Sequence, residues 1–264
     1  GKPILEHQIE CLKKSSVDEI IIITGHLGEK IKEYFEDGNK FGIAIKYIEE
    51  DPNKPLGTAG SLYYLKDEIQ DDFVLIFGDV FLSVDFNKMI EFHKKNRSDA
   101  TLLTHPNSHP FDSDLITTDS KDRVLAFDSK NNTRNYDYKN IVNSGVYAFS
   151  PRIFGYIEEP KKIGLEHGVI AKMLDSGDRV YSYKSTEYVK DMGTPERYES
   201  VNNDYANGIC TRRNLENKQK AIFLDRDGTI NKYVGFLSDK DQMELIPGSA
   251  EAIKLINASE YLCI

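Results

Sequence analysis

The sequence predicts an α/β protein: a mixed, mainly parallel sheet flanked by helices, followed by the start of a second, smaller α/β unit. Three observations predict it. Apolar runs rich in β-branched residues recur along the first part of the chain, as strands buried on both faces require. Helical patterns separate them, in the strand–helix–strand rhythm of parallel sheets with right-handed crossovers. A second strand-then-helix pattern begins near residue 220, after a polar stretch.

The elements follow in order. Residues 19–25, Glu-Ile-Ile-Ile-Ile-Thr-Gly, form the first strand. Residues 27–36 read as a helix with Ile31, Tyr34 and Phe35 on one face, and 43–49 as a strand. Residues 57–69 read as a helix, 73–77 as an apolar strand, and 86–96 as the next helix. From Thr101 the rhythm changes. Segments 101–104, 115–118, 124–128 and 142–149 are strand-like with short polar connections, which predicts a mixed or antiparallel insertion on the sheet. Helix returns at 165–176, strand at 179–183, and helix at 195–206, where Thr194 is the expected N-cap and Pro195 the first helical residue. These elements define a first domain over 1–208. Residues 209–219, polar and basic without apolar period, are the expected linker, and 220–264 a second unit with a strand at 221–224 and a helix at 250–256.

Composition narrows the functional classes. The 264 residues carry a net charge of −9, which argues against nucleic acid as a partner. The hydrophobic fraction of 39% supports a sizeable core. Three widely spaced cysteines give neither a disulfide framework nor a zinc spacing and fit a reducing compartment. No apolar run reaches the ~18 residues that a membrane span needs. No segment reads as a signal peptide, so the expected compartment is the cytoplasm.

Four motifs carry chemistry. Pro55-Leu56-Gly57-Thr58-Ala59-Gly60 lies between a strand and a helix, where small residues let backbone approach a ligand and a helix start offers free N–H groups. A plain turn with an N-cap explains it equally well. Gly78-Asp79 ends the most apolar strand, the position at which α/β sheets meet their ligands. Asp79 there can hold Mg²⁺ against nucleotide phosphates, or simply cap a turn. Asp191-Met192-Gly193-Thr194-Pro195 places a second carboxylate before a Pro-initiated helix. Asp225-Arg226-Asp227-Gly228-Thr229 sets two carboxylates two residues apart after an apolar run, an arrangement suited to phosphoryl transfer to an aspartate.

In this order, the first three motifs resemble the sugar-1-phosphate nucleotidyltransferases over residues 1–207. The resemblance implies a Rossmann-like, mixed, mainly parallel sheet of the nucleotide-diphospho-sugar transferase type. It implies that Leu56, Gly57 and Thr58 belong to a base-contacting loop with Gly78 also on the nucleotide, and that Asp79 and Asp191 hold Mg²⁺. Asn143-Ser144-Gly145-Val146-Tyr147 looks like the sugar-contacting strand, which implies sugar contacts by Asn143 and Gly145. Glu166 opens the helix that places a glutamate near the sugar. The family's Glu-Lys-Pro sugar-phosphate motif is not intact; Lys130 in the segment 124–130 is its nearest counterpart. The family's opening Gly-rich loop with its Arg is not present either. The chain reads as beginning just after that loop and is expected to be inactive by itself.

Asp225-Arg226-Asp227-Gly228-Thr229 resembles the first motif of the haloacid-dehalogenase-like phosphatases. The resemblance implies Asp225 as nucleophile, Asp227 as acid/base, and both near Mg²⁺. The later motifs of that family are not in the chain, which reads as ending within that domain. Ile246-Pro247-Gly248-Ser249-Ala250 is similar to a helix entry in its sugar-phosphate phosphatases. The two resemblances together imply a bifunctional enzyme making a nucleoside-diphosphate sugar, GDP-heptose or GDP-mannose, from GTP and a sugar 1-phosphate. A non-catalytic sugar-nucleotide sensor, and a phosphatase with a vestigial transferase domain, are the alternatives. A homo-oligomer is compatible with either.

Overall fold

The computed structural model describes residues 1–107, 109–259 and 261–264. Its strands are β1 (Glu19–Thr24), β2 (Ala44–Glu49), β3 (Phe73–Ile76), β4 (Val80–Ser83), β5 (Ala100–His105), β6 (Leu115–Thr118), β7 (Val124–Asp128), β8 (Val142–Phe149), β9 (Val180–Lys184), β10 (Tyr188–Asp191), β11 (Lys220–Ile222) and β12 (Tyr261–Cys263). Its helices are α1 (Ile4–Leu12), α2 (Gly28–Phe35), α3 (Phe86–Lys95), α4 (Ala171–Asp175), α5 (Pro195–Ala206), α6 (Ile209–Arg213) and α7 (Ser249–Ala258).

The main sheet runs β7-β6-β8-β5-β9, with β3 on the other part of the long β8. Alternation along β8 splits its side chains between two cores. Tyr147 and Phe149 join Ala100, Leu102, Leu165, Ile170 and Met173 on one face. Val146 and Ala148 join Leu103, Val80, Leu82, Phe86 and Met89 on the other. Each such buried aliphatic or aromatic side chain contributes roughly 1.5–3 kcal/mol, so β8 anchors the fold through both faces.

The prediction of a mainly parallel sheet is corrected here. β1 with β2 and β5 with β9 are parallel, but β3, β5 and β6 all pair antiparallel with β8, as do β6 with β7 and β4 with β10. The apolar runs do mark strands, but β1 and β3 are only partly buried, with Ile23 38% exposed, because both face a cleft. Burial alone does not fix strand direction, and β8 returns into the middle of the sheet instead of forming an insertion at its side. β1 and β2 form their own two-stranded ribbon. Residues of β1 and of β3 line one cleft of about 1990 Å³.

Two helices differ from expectation. Within 57–69 only Gly60–Leu65 is helical, as a 3-10 turn. The 165–176 helix opens as a π turn over Leu165–Ile170 before α4. The stretch taken as a linker carries α6, whose Cys210 is buried with Phe81, Tyr188 and Val201. Just beyond it, the Leu215 N–H donates to Glu187 Oε1 at 2.9 Å, so the segment is docked on the first unit. In 220–264, β11 and β12 pair in parallel and α7 lies between them in sequence, a β-α-β arrangement.

Candidate functional site

Antiparallel pairing of β4 with β10 sets Asp191 opposite Val80. One step beyond, the Met192 N–H donates to the Asp79 carbonyl at 2.9 Å. The backbones of the two predicted aspartates, 112 residues apart in the chain, therefore stand at the same end of the β4–β10 pair. The turn carrying Asp79 is held by a residue that sequence reading missed. The buried Gln8 of α1 donates its side-chain amide to the carbonyls of Phe77, at 3.0 Å, and Val80, at 2.7 Å. It thus brackets Gly78-Asp79 from both sides. Gly78 and Asp79 both line the large cleft. Asp191 accepts from the guanidinium of Arg197, in the first turn of α5, a cation also missed from sequence.

Two aspartates at one strand end beside a cleft fit Mg²⁺, which is typically held by one or two carboxylates together with substrate phosphate oxygens. They do not form an all-protein cage. Among the described residues there is no group of three or more His, Cys, Asp or Glu side chains placed to hold a metal ion.

The predicted loop at Leu56–Thr58 is clamped against residues 161–165. Gly57 has φ +76°, and a Cβ there would lie 2.6 Å from the Ile163 carbonyl oxygen, so the glycine answers both a backbone and a space requirement. Thr58 Oγ1 accepts the Leu165 N–H at 2.8 Å, the Leu56 carbonyl accepts the Ile163 N–H at 3.0 Å, and the Leu56 N–H donates to Glu50 Oε1 at 3.0 Å. Thr58 thus has a structural task at the start of the π turn, while Gly57 and Thr58 also line the cleft.

Two of the predicted sugar contacts, Asn143 and Glu166, form one network with Tyr147. Tyr147 donates its hydroxyl to Glu166 Oε1 at 2.5 Å, and Asn143 Nδ2 donates to Tyr147 Oη at 2.5 Å and to Glu166 Oε1 at 3.2 Å. Asn143 Oδ1 is buried with no partner. Burial first, then the Glu166 charge, pushes the Tyr147 hydroxyl well above its ordinary pKa, so it stays protonated and donates. Gly145, at φ +76°, leaves room for the side chains of Phe77 and Val80, which an added Cβ would approach to 3.0 and 3.1 Å. Tyr147 was read as part of the motif but given no task; spacing alone cannot show which hydroxyl a glutamate will meet.

Lys130 stands apart from these groups. Its side chain is 53% exposed, its ammonium lies 4.0 Å from Asp112, and its backbone N–H donates to Asp114 at 2.8 Å. The second predicted site keeps its two carboxylates in different settings. Asp225 is exposed and accepts the Arg226 N–H at 2.8 Å. Asp227 is paired with the Arg226 guanidinium at 2.8 and 3.0 Å and accepts from Asn231 at 3.2 Å. The Arg226 bond, then that of Asn231, holds the Asp227 carboxyl below its ordinary range.

No helix among the described residues is long and apolar enough to cross a membrane.

Comparison with known proteins shows the family. Residues 1–208 match the family described as nucleotidyl transferase. A mannose-1-phosphate guanylyltransferase of Mycobacterium tuberculosis is 30% identical over 212 residues, 80% of this chain and 58% of that protein. The chain thus spans little more than half the length of that relative. A D-glycero-alpha-D-manno-heptose 1-phosphate guanylyltransferase of Aneurinibacillus thermoaerophilus is 33% identical over 202 residues, 75% of this chain and 83% of the relative. The crystal structure of HddC from Yersinia pseudotuberculosis superimposes with a TM-score of 0.65 at 24% identity, covering 78% of this chain and 86% of that one, and shares its fold. With 208 of its 264 residues matched, the chain belongs to the nucleotidyl transferase family.

Proposed function

We propose that this family member makes a nucleoside-diphosphate sugar, GDP-heptose or GDP-mannose, from GTP and a sugar 1-phosphate. The observation that carries the reading is the placement of Asp79 and Asp191 at one strand end, held by the Met192–Asp79 bond. A sugar-phosphate oxygen attacks the α-phosphorus of the triphosphate in line; a new P–O bond forms and the bond to pyrophosphate breaks. Asp79 and Asp191 would hold Mg²⁺, which when bound neutralises and orients the phosphates. The loop at Leu56, Gly57 and Thr58, with Gly78, would receive the nucleotide, and Asn143, Gly145 and Glu166 the sugar. Lys130 would contribute to the sugar phosphate only from a reoriented side chain. No protein nucleophile is needed. Both named relatives support guanine and a manno-configured sugar, the second over most of its own length.

Residues 220–264 carry a second reading. Asp225 follows a strand paired in parallel with β12, which supports the start of a haloacid-dehalogenase-like phosphatase unit with Asp225 as nucleophile and Asp227 as acid/base, both near Mg²⁺. Asp227 as now held by Arg226 favours its ionised form, so an acid role requires that bond to open.

Pyrophosphate release by the native full-length protein with Mg²⁺, four nucleoside triphosphates and mannose and heptose 1-phosphates tests the transferase. Release with GTP and one sugar supports it. Product binding without turnover in any combination would support the sensor reading instead.

A further inference from the structure

We propose that Gln8 is a positioning residue for the candidate metal ligand Asp79, acting through the turn at residues 77–80. The inference rests on the transferase reading above and gives a task to a buried side chain that reading does not use. Gln8 lies on α1 and is 5% exposed. Its side-chain nitrogen carries two hydrogens, and both go to one turn: the Phe77 carbonyl lies at 3.0 Å and the Val80 carbonyl at 2.7 Å. Both partners are acceptors only, so they fix which way the amide faces. The same turn is closed internally by the Val80 N–H, which donates to the Phe77 carbonyl at 3.1 Å. It is tied to β8 by the Phe77 N–H, which donates to the Gly145 carbonyl at 3.0 Å.

Asp79 is thereby held from two sides. Its own carbonyl accepts the Met192 N–H and so faces β10. Successive carbonyls of a strand alternate in direction, and that of Val80 turns away from β10 to meet Gln8. Three residues further along α1, Cys11 Sγ donates to the Val84 carbonyl at 3.1 Å. Residues three apart share a helix face, so α1 grips β4 at both ends, through Gln8 where the strand begins and through Cys11 just past its end. Stability alone does not call for an amide at position 8. The other buried residues of α1 are Ile9, Cys11 and Leu12, and an apolar side chain beside them carries no cost of burying a polar group. A buried amide with both hydrogens bonded instead admits one arrangement of the turn. Gln8, Gly78 and Asp79 all line the cleft. An ion held by carboxylates from two strands needs both in place together, and groups that orient a ligand tune its affinity.

The full-length protein carries the test. Gln8→Met keeps a side chain of similar length and removes both donors. Mn²⁺ binding is measured at saturating GTP without sugar phosphate, so that the readout is binding and not turnover. Water proton relaxation enhancement separates protein-bound Mn²⁺ from Mn²⁺ on free GTP. The expected result is a roughly 10- to 100-fold rise in the Mn²⁺ dissociation constant, the usual cost of removing a group that orients a metal ligand. With no metal present, hydrogen exchange of the Val80 amide, which closes the turn, should quicken. Cys11→Ala is the control, because it loosens α1 at the other end of β4; it should lower the unfolding midpoint and leave Mn²⁺ affinity unchanged. Unchanged Mn²⁺ affinity or unchanged Val80 exchange in folded Gln8→Met overturns the assignment, and so does an equal loss of Mn²⁺ affinity in Cys11→Ala, which would make Gln8 merely structural. Should Gln8→Met not fold, Gln8→Asn keeps the amide but withdraws it by one methylene and must give the same loss; unchanged Mn²⁺ affinity there overturns the proposal. If the wild type with GTP binds no Mn²⁺, the metal reading of Asp79 and Asp191 fails and this assignment falls with it. If Asp79→Asn abolishes Mn²⁺ binding and the Gln8 variants do not weaken it, only this assignment fails.

Discussion

The Met192 N–H donates to the carbonyl oxygen of Asp79 at 2.9 Å, and this single backbone bond continues the β4–β10 ladder to the point where the backbones of both candidate metal aspartates stand. Because the two side chains serve one ion in this account, their removal should not add. Asp79→Asn and Asp191→Asn should each lower pyrophosphate release at least about 100-fold. The double variant should be no more than a few-fold worse than either single one. Steady-state rates at saturating Mg²⁺, with circular dichroism to verify folding, provide the check.

Arg197 occupies Asp191 while no phosphate competes for it. Both side chains are substantially exposed, at 40% and 45%, so the pair is weak and easily opened. Arg197→Ala should therefore lower the Mg²⁺ concentration for half-maximal rate by about 2- to 5-fold, as expected for loss of an exposed ion pair. A higher Mg²⁺ requirement would instead assign Arg197 to holding phosphate.

Gly57 and Gly78 should respond in opposite ways to alanine. Gly57 has a positive φ of +76° and a carbonyl 2.6 Å from where a Cβ would sit, so Gly57→Ala should cost roughly 1–3 kcal/mol. At Gly78 the nearest atom to an added Cβ, Leu5 Cδ2, is 4.0 Å away, so Gly78→Ala should leave the unfolding midpoint nearly unchanged. Urea denaturation of the two variants side by side distinguishes them.

Asp128 should contribute to acid sensitivity. The Tyr136 hydroxyl, then the Asn132 amide and the Arg134 guanidinium, bond its carboxylate at 2.6, 2.9 and 2.7 Å and hold its pKa below the ordinary range. The folded-state value is depressed, so the stabilisation is present above the unfolded value of about 4 and is lost as pH falls through the folded one. Asp128→Asn should lower stability at neutral pH and flatten its decline below about pH 4. Stability curves for both proteins between pH 2 and 7 would reveal it.

Much of the fold was legible because the driving patterns are local. β6, β7 and β8 begin and end where their apolar alternation does, and Thr194 caps α5 as its sequence indicates. β4 and β10 were missed: they pair with each other across a long stretch of chain, and that pairing leaves no local mark. α1 was missed because its buried Gln8 reads as polar, although it packs through Ile9, Cys11 and Leu12. The strand-end position of Asp79 was legible from the run before it. Its meeting with Asp191 was not, since a cross-strand bond between distant segments leaves no local mark. Gln8, Arg197 and Tyr147 act through such contacts, so sequence alone gave them no task.

The most direct test is Mg²⁺-dependent pyrophosphate release from GTP and a sugar 1-phosphate by the full-length wild type, Asp79→Asn and Asp191→Asn proteins, measured in parallel. This account predicts turnover by the wild type and a loss of about 100-fold or more in each folded variant. Wild-type turnover that survives in both variants would contradict it, because the two aspartates that the β4–β10 ladder brings together would then have no part in the chemistry.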